Sequence, residues 1–334
     1  MRKTMRFAAA AAASTLVLSA CGAEGEAEGG GDTTVTVGVA TLPIFAPVFV
    51  ADERGYFEDR GLDVEIEAVQ TGQDAVPLLS SGQLDAVAAG FSAGIFSGLE
   101  TGLEFRVVGS MGIADGEEFS PVHFLVRSEL IEDGTVESME DLEGLTVGAA
   151  GGEGGTGAYL SALALEEGGL SLDDVELSNV GNPDMPAALE NGSIDAALLA
   201  APFSENVMED GVAESLWYPP EGTTGTGLMY GEHFLEEDAA QAFFDALVQA
   251  SQDLQGDERY SEEHLEIVAD AIEQDPESLQ GIPLYTWLPD LAPTQEELQG
   301  MESVWLDSGA LDYEQPLDPA EYIDSSFSEN ASAD

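Results

Sequence analysis

Cysteine is almost missing from this chain: Cys21 is the only one in 334 residues. No internal disulfide can therefore support the fold. Basic residues are nearly as scarce, eight Lys and Arg against 66 Asp and Glu, for a formal net charge of −58. Phosphate neutralisation needs clustered basic side chains, so nucleic acid is excluded as a partner. Histidine occurs only at 123, 233 and 264, with no H-E-x-x-H and no pair at ligand spacing. Transition-metal chemistry is thereby disfavoured, no D-x-D-x-D-G calcium loop is present, and no metal or cofactor is expected. The N-terminal apolar run, FAAAAAASTLVLSA at 7–20, is too short to cross a bilayer. What is there is ordinary apolar content, 44%, enough for a packed core, and a length that suits two domains.

The acidic residues all follow Ala20, and the arginines left beyond that point are Arg54, Arg60, Arg106, Arg127 and Arg259. Their spread along the whole chain reads as a solvated, halophile-like surface suited to high salt rather than as a cation site. MRKTMR followed by the short apolar run reads as a secretory signal over 1–20. Leu18-Ser19-Ala20-Cys21 resembles a bacterial lipobox, with Cys21 as the lipidated residue and 21–33 as a flexible tether. That implies an exported protein anchored on the outer face of the cytoplasmic membrane, periplasmic or cell-surface.

LLSSGQLDAVAAG (78–90) returns as ALENGSIDAALLA (188–200) at an offset of 110 residues, pairing Leu79 with Leu189, Gly82 with Gly192 and Asp85 with Asp195. Each phrase reads as a helix end, a glycine stop and a buried strand. Around the first copy, strands are predicted at 34–40, 62–69 and 84–90, with helices at 47–61 and 75–82. Around the second, strands are predicted at 145–150, 175–180 and 194–200, with helices at 156–169 and 186–192. Apolar runs alternating with glycine-stopped helices indicate an α/β protein with mainly parallel sheets in two similar lobes. The segments 107–130 and 215–235 read as two crossings between them, and three amphipathic helices follow. The expected division is lobe I at 34–115, lobe II at 116–225, and 226–334 as return crossing plus C-terminal helices packing mainly on lobe I.

VTVGVATLPIFAPVFVADERGYFEDRGLDVEIEAV, LLSSGQLDAVAAG, SMEDLEGLTVGAA, ALENGSIDAALLAAPF and WLDSGALDYEQPLDPAEYIDSSF resemble the nitrate/sulfonate/taurine-type solute-binding proteins of ABC importers, a group that includes thiamine-pyrimidine binders. The likeness runs over about 34–328. It implies a two-lobe periplasmic-binding-protein fold of type II with two hinge crossovers. It also implies a monomeric, non-enzymatic receptor that delivers a small organic solute or oxyanion to permease and ATPase subunits.

Ligands of open parallel sheets bind beyond the carboxyl ends of the strands, at helix N-termini. This selects the loops 41–45, 71–74, 90–94, 151–157 and 201–206. The candidate ligand contacts are Pro43, Phe45, Gly72, Gln73, Phe91, Ser92, Glu153, Gly155, Thr156, Pro202, Phe203 and, with Tyr285 and Trp287, Tyr230. Each phenylalanine is equally a core candidate. None of these loops carries Arg or Lys, which favours a neutral, zwitterionic or aromatic solute over an anion. Two motifs point toward enzymes. GFSAG (90–94) matches the nucleophile elbow of a secreted serine hydrolase using Ser92, but no HGGG-like segment accompanies it. GGEGGTG (151–157) contains a dinucleotide-type glycine pattern, yet VELSNV offers asparagine where that site wants an acid.

Overall fold

The computed structural model describes residues 33–331. The signal segment 1–20, Cys21 and the tether up to residue 32 lie outside the described residues. Ten strands form two five-stranded sheets of matching topology. In the first, β1 (Thr33–Ala40), β2 (Leu62–Val69), β3 (Ala86–Gly90), β4 (Phe105–Ser110) and β10 (Thr226–Gly231) lie in the order β2-β1-β3-β10-β4. In the second, β5 (Val122–Arg127), β6 (Thr146–Ala149), β7 (Glu176–Asn179), β8 (Ala196–Ala200) and β9 (Ala213–Trp217) lie in the order β7-β6-β8-β5-β9. Only β10 and β5 run against their neighbours. Each is laid down directly after a crossing, so each lobe completes its sheet with a strand that returns from the other side. The two crossings hydrogen-bond to one another, Ala114 N–H to Thr223 O at 2.9 Å and Gly222 N–H to Ala114 O at 2.9 Å.

The internal repeat is visible atom by atom. The Asp85 carboxylate accepts the Thr36 N–H at 2.8 Å, and the Asp195 carboxylate accepts the Thr146 N–H at 3.1 Å. Each Asp also donates its own N–H to that threonine's carbonyl at 2.8 Å. The part-buried Thr36 and Thr146 N–H groups at these strand starts are thus paired. Gly82 and Gly192 stand at φ 71° and 72°, the left-handed conformation in which glycine carries no Cβ penalty.

The central strands β3 and β8 are covered on both faces, which is why they read as unbroken apolar runs, whereas the edge strands β2 and β7 are largely exposed. On β3, Ala86 and Ala88 face one core while Val87 and Ala89 face another. On β8, Ala196 and Leu198 face the second core while Ala197 and Leu199 face a third. The first core lies between the lobe I sheet, α1 (Ala46–Glu53), α7 (Asp238–Asp253) and α8 (Glu262–Ala271). The second joins α2 (Gly72–Ser80) and α3 (Ala93–Glu100) of lobe I to α4 (Thr156–Glu167) of lobe II. The third, within lobe II, holds α5 (Met185–Asn191) and α6 (Phe203–Glu209). The last long helix, α9 (Gln295–Asp307), inserts between α3 and α4. Its fully buried Trp305 lies 5.6 Å from the Phe96 ring and 6.3 Å from the Tyr159 ring, one from each lobe.

The predicted helix 47–61 is shorter than its apolar pattern suggests. α1 stops at Glu53, Gly55 turns the chain at φ 74°, and a single short turn at Glu58–Arg60 leads into β2.

Candidate functional site

The chain leaves the carboxyl ends of β1, β2, β3, β6, β7 and β8 toward one cavity between the lobes, of about 200 Å³. Leu42, Gln70, Ser92, Ala150, Asn182 and Ala200 are the residues through which those six strand ends reach it. Three helices begin at its wall: α2 at Gly72, α3 after Ser92 and α4 at Thr156. The first-turn N–H groups of such helices lack intrahelical partners and carry partial positive charge. The antiparallel strands β5 and β10 present their amino ends instead, through Val122 and Thr226.

Seven of the twelve sequence-predicted residues line this cavity: Phe45, Gly72, Gln73, Phe91, Ser92, Gly155 and Thr156. The other five do not. Tyr230 lies away from the cavity for a clear reason. β10 is antiparallel, so its carboxyl end points away from the cleft, and Tyr230 stands four residues, about 13 Å, from Thr226. There it is fully buried, donates its hydroxyl to Ala240 O at 3.1 Å and packs on Phe234 and Phe327. Phe203 turns into the lobe II core because α6 starts at that residue. Pro202 stays behind it as the helix N-cap, and Ala201 is held by donating to Pro121 O at 2.8 Å. Pro43 is buried at the start of a short helical turn, and Glu153 is exposed to solvent.

Sequence reasoning missed Thr223, Thr224 and Thr226 in the return crossing, and Asn182 after β7. The run TTGTG was a signal, since small hydroxyl residues suit a close approach of two segments. Tyr285 lines the cavity, whereas Trp287 acts one step behind it, donating its indole N–H to Ile44 O at 2.9 Å and fixing that loop.

Thr156 closes the cavity across the lobes. Its hydroxyl donates to Phe91 O at 2.8 Å and lies 3.3 Å from Gly225 O. Glycine is required on both sides of it: a Cβ at Gly90 would stand 2.7 Å from the Thr156 Oγ1, and one at Gly225 would stand 2.1 Å from its Cγ2. A second bridge runs from Tyr159, which donates to Glu297 on α9 at 3.0 Å.

Among the described residues, no carboxylate, imidazole, ammonium or guanidinium group lines the cavity. Its one titratable side chain, Tyr285, is kept protonated by burial and by the nearby Glu205 carboxylate, both of which raise its pKa. Ser92 and Thr226 line the wall, and the Ser92 Oγ and Thr226 Oγ1 are buried without a hydrogen-bond partner.

The nucleophile-elbow reading of GFSAG finds no base. His123 pairs with Ser215 Oγ at 2.7 Å, His233 with Asp85 at 2.9 Å and His264 with Glu258 O at 2.7 Å, and none of the three bonds Ser92. Among the described residues, no group of three or more His, Cys, Asp and Glu is placed to hold a metal ion.

The family model described as NMT1/THI5 like matches residues 43–257. A Brucella abortus protein carrying a binding-protein name is 27% identical over 174 residues, 52% of this chain and 44% of that protein. The chain thus matches less than half the length of that relative. Among solved structures, the alkanesulfonate-binding protein of Xanthomonas axonopodis pv. citri bound to MOPS superposes with a TM-score of 0.66 at 16% identity, covering 88% of this chain and 98% of that one. The periplasmic nitrate-binding protein of Synechocystis PCC 6803 gives 0.70 at 15% identity, covering 88% and 87%. These structures share the two-lobe periplasmic-binding-protein fold predicted here. With the family match extending over more than half of its length, the chain belongs to the NMT1/THI5-like family.

Proposed function

We propose that this protein is the extracytoplasmic solute receptor of an ABC import system. It captures a small organic solute between its lobes and presents it to a membrane permease powered by an ATPase. The observation that carries this reading is the inter-lobe cavity itself. Six strand ends and three helix N-termini converge there with uncharged groups suited to hold a solute, and no base stands by Ser92. The solute binds both lobes, so it favours the arrangement in which Thr156 reaches Phe91 and Gly225. The crossings at 111–121 and 218–225 supply the hinge. Lipidation at Cys21 would hold the receptor, as a monomer, at the outer membrane face.

The test is a thermal-shift panel of sulfonates, nitrate, amino acids and pyrimidines in concentrated salt, run alongside a chromogenic ester. A receptor gains melting temperature with one solute class, by mass action, and releases no product from the ester. Ester turnover abolished by Ser92→Ala would instead establish the hydrolase.

A further inference from the structure

The receptor reading leaves open what kind of solute the cavity accepts, and two hydroxyls bear on that question. Ser92 is 5% exposed and Thr226 is 8% exposed, yet neither Oγ of Ser92 nor Oγ1 of Thr226 has a hydrogen-bond partner in the protein. Buried hydroxyls in folded proteins are overwhelmingly paired, so two orphans on one cavity wall call for a cause. They belong to one corner of the site. Thr226 stands opposite Gly90 in the β3–β10 ladder, and Phe91 N–H donates to Gly225 O at 2.8 Å, tying the two segments side by side.

Resting on the receptor reading, we propose that the cavity takes an uncharged organic solute whose acceptor atom is held by the hydroxyls of Ser92 and Thr226. The remaining wall supports this. A charged solute enclosed here would meet no counter-charge, because no acidic or basic side chain among the described residues lines the cavity. The phenol of Tyr285 stays neutral, so it brings no charge of either sign to the cavity. The net charge of −58 opposes anion entry at any ionic strength that leaves it unscreened. The partial charges of the helix N-termini remain, and they suit the lone pair of a carbonyl or ring nitrogen as well as they suit an anion. An apolar body fits the faces of Leu42, Phe45 and Leu160.

Titration calorimetry of the whole exported protein in concentrated salt decides the matter, with nicotinamide, thymine and cytosine as uncharged probes and ethanesulfonate and nitrate as anionic ones. At least one uncharged probe should bind saturably, and neither anion should. Against that probe, Ser92→Ala and Thr226→Val should each weaken binding by up to about tenfold. Neither change should lower the melting temperature of the probe-free protein, since each removes a buried unpaired hydroxyl rather than a bond. Saturable binding of an anion without any uncharged probe overturns this proposal while leaving the receptor standing. Unchanged affinity in both hydroxyl variants overturns it as well. Failure of every probe, charged and uncharged, overturns this proposal, while the receptor reading stands or falls on the broader thermal-shift panel and the ester assay.

Discussion

Replacing Asp85 or Asp195 by alanine removes, in each lobe, the carboxylate that accepts a strand N–H from Thr36 or Thr146. The same carboxylates face a second group, His233 at 2.9 Å and Arg127 at 3.6 Å. Each substitution is expected to lower stability by about 1–3 kcal/mol, read from urea unfolding midpoints, because a part-buried strand N–H then goes unpaired. An effect on one lobe and none on the other would break the equivalence of the repeats. Glu205 is a different case at the same scale. Burial raises its carboxyl pKa above the ordinary range, against the opposing bond from Ser204 at 2.7 Å, and its Oε1 has no partner. The native state therefore keeps this proton to higher pH than the unfolded chain does, and stability falls as pH rises through the raised value. Glu205→Gln should flatten that fall and stabilise the protein at pH 7, as thermal melts from pH 4 to 8 would show. A destabilised variant at pH 7 would contradict the assignment.

At the scale of elements, the strands and their glycine stops were legible because burial on both faces forces continuous apolar runs, as in DAVAAG and DAALLA. Cavity residues on parallel strands were legible too, since strand direction fixes which end meets the cleft; Gln73, Ser92 and Thr156 follow from it. Tyr230 and Thr226 were not, because nothing local in TGLMYG tells that this strand enters its sheet reversed. The bridging place of α9 was equally hidden, since its apolar stripe does not say which lobes cover it. Trp305→Ala should cost about 3–5 kcal/mol, measured by chemical denaturation, by emptying a site packed from both lobes. A loss confined below about 1 kcal/mol would mean that α9 is peripheral to both.

The crossing between the lobes offers a sharper test of closure. Gly225→Ala puts a methyl group where the Thr156 Cγ2 now lies, 2.1 Å from the new Cβ. It should weaken binding of any solute at least tenfold while leaving each lobe folded. Adding Thr156→Ser, which removes Cγ2 and keeps the hydroxyl, should recover part of the loss by calorimetry. No recovery would mean that the glycine matters for another reason.

For the whole molecule, charge and the division into two lobes govern behaviour. A chain at −58 repels itself wherever salt does not screen it, over a Debye length that falls from about 10 Å at 0.1 M to about 3 Å at 1 M. Its melting temperature should therefore climb over that range of sodium chloride, and a flat or falling trend would rule out self-repulsion as a major destabilising term. The receptor claim itself concerns motion of one lobe against the other, and small-angle scattering of the protein measures it directly. With the solute that raises the melting temperature, the radius of gyration should fall to that of the closed form held by Thr156, with the solute recovered unchanged. An unaltered radius at saturation, or a solute returned as product, would contradict it.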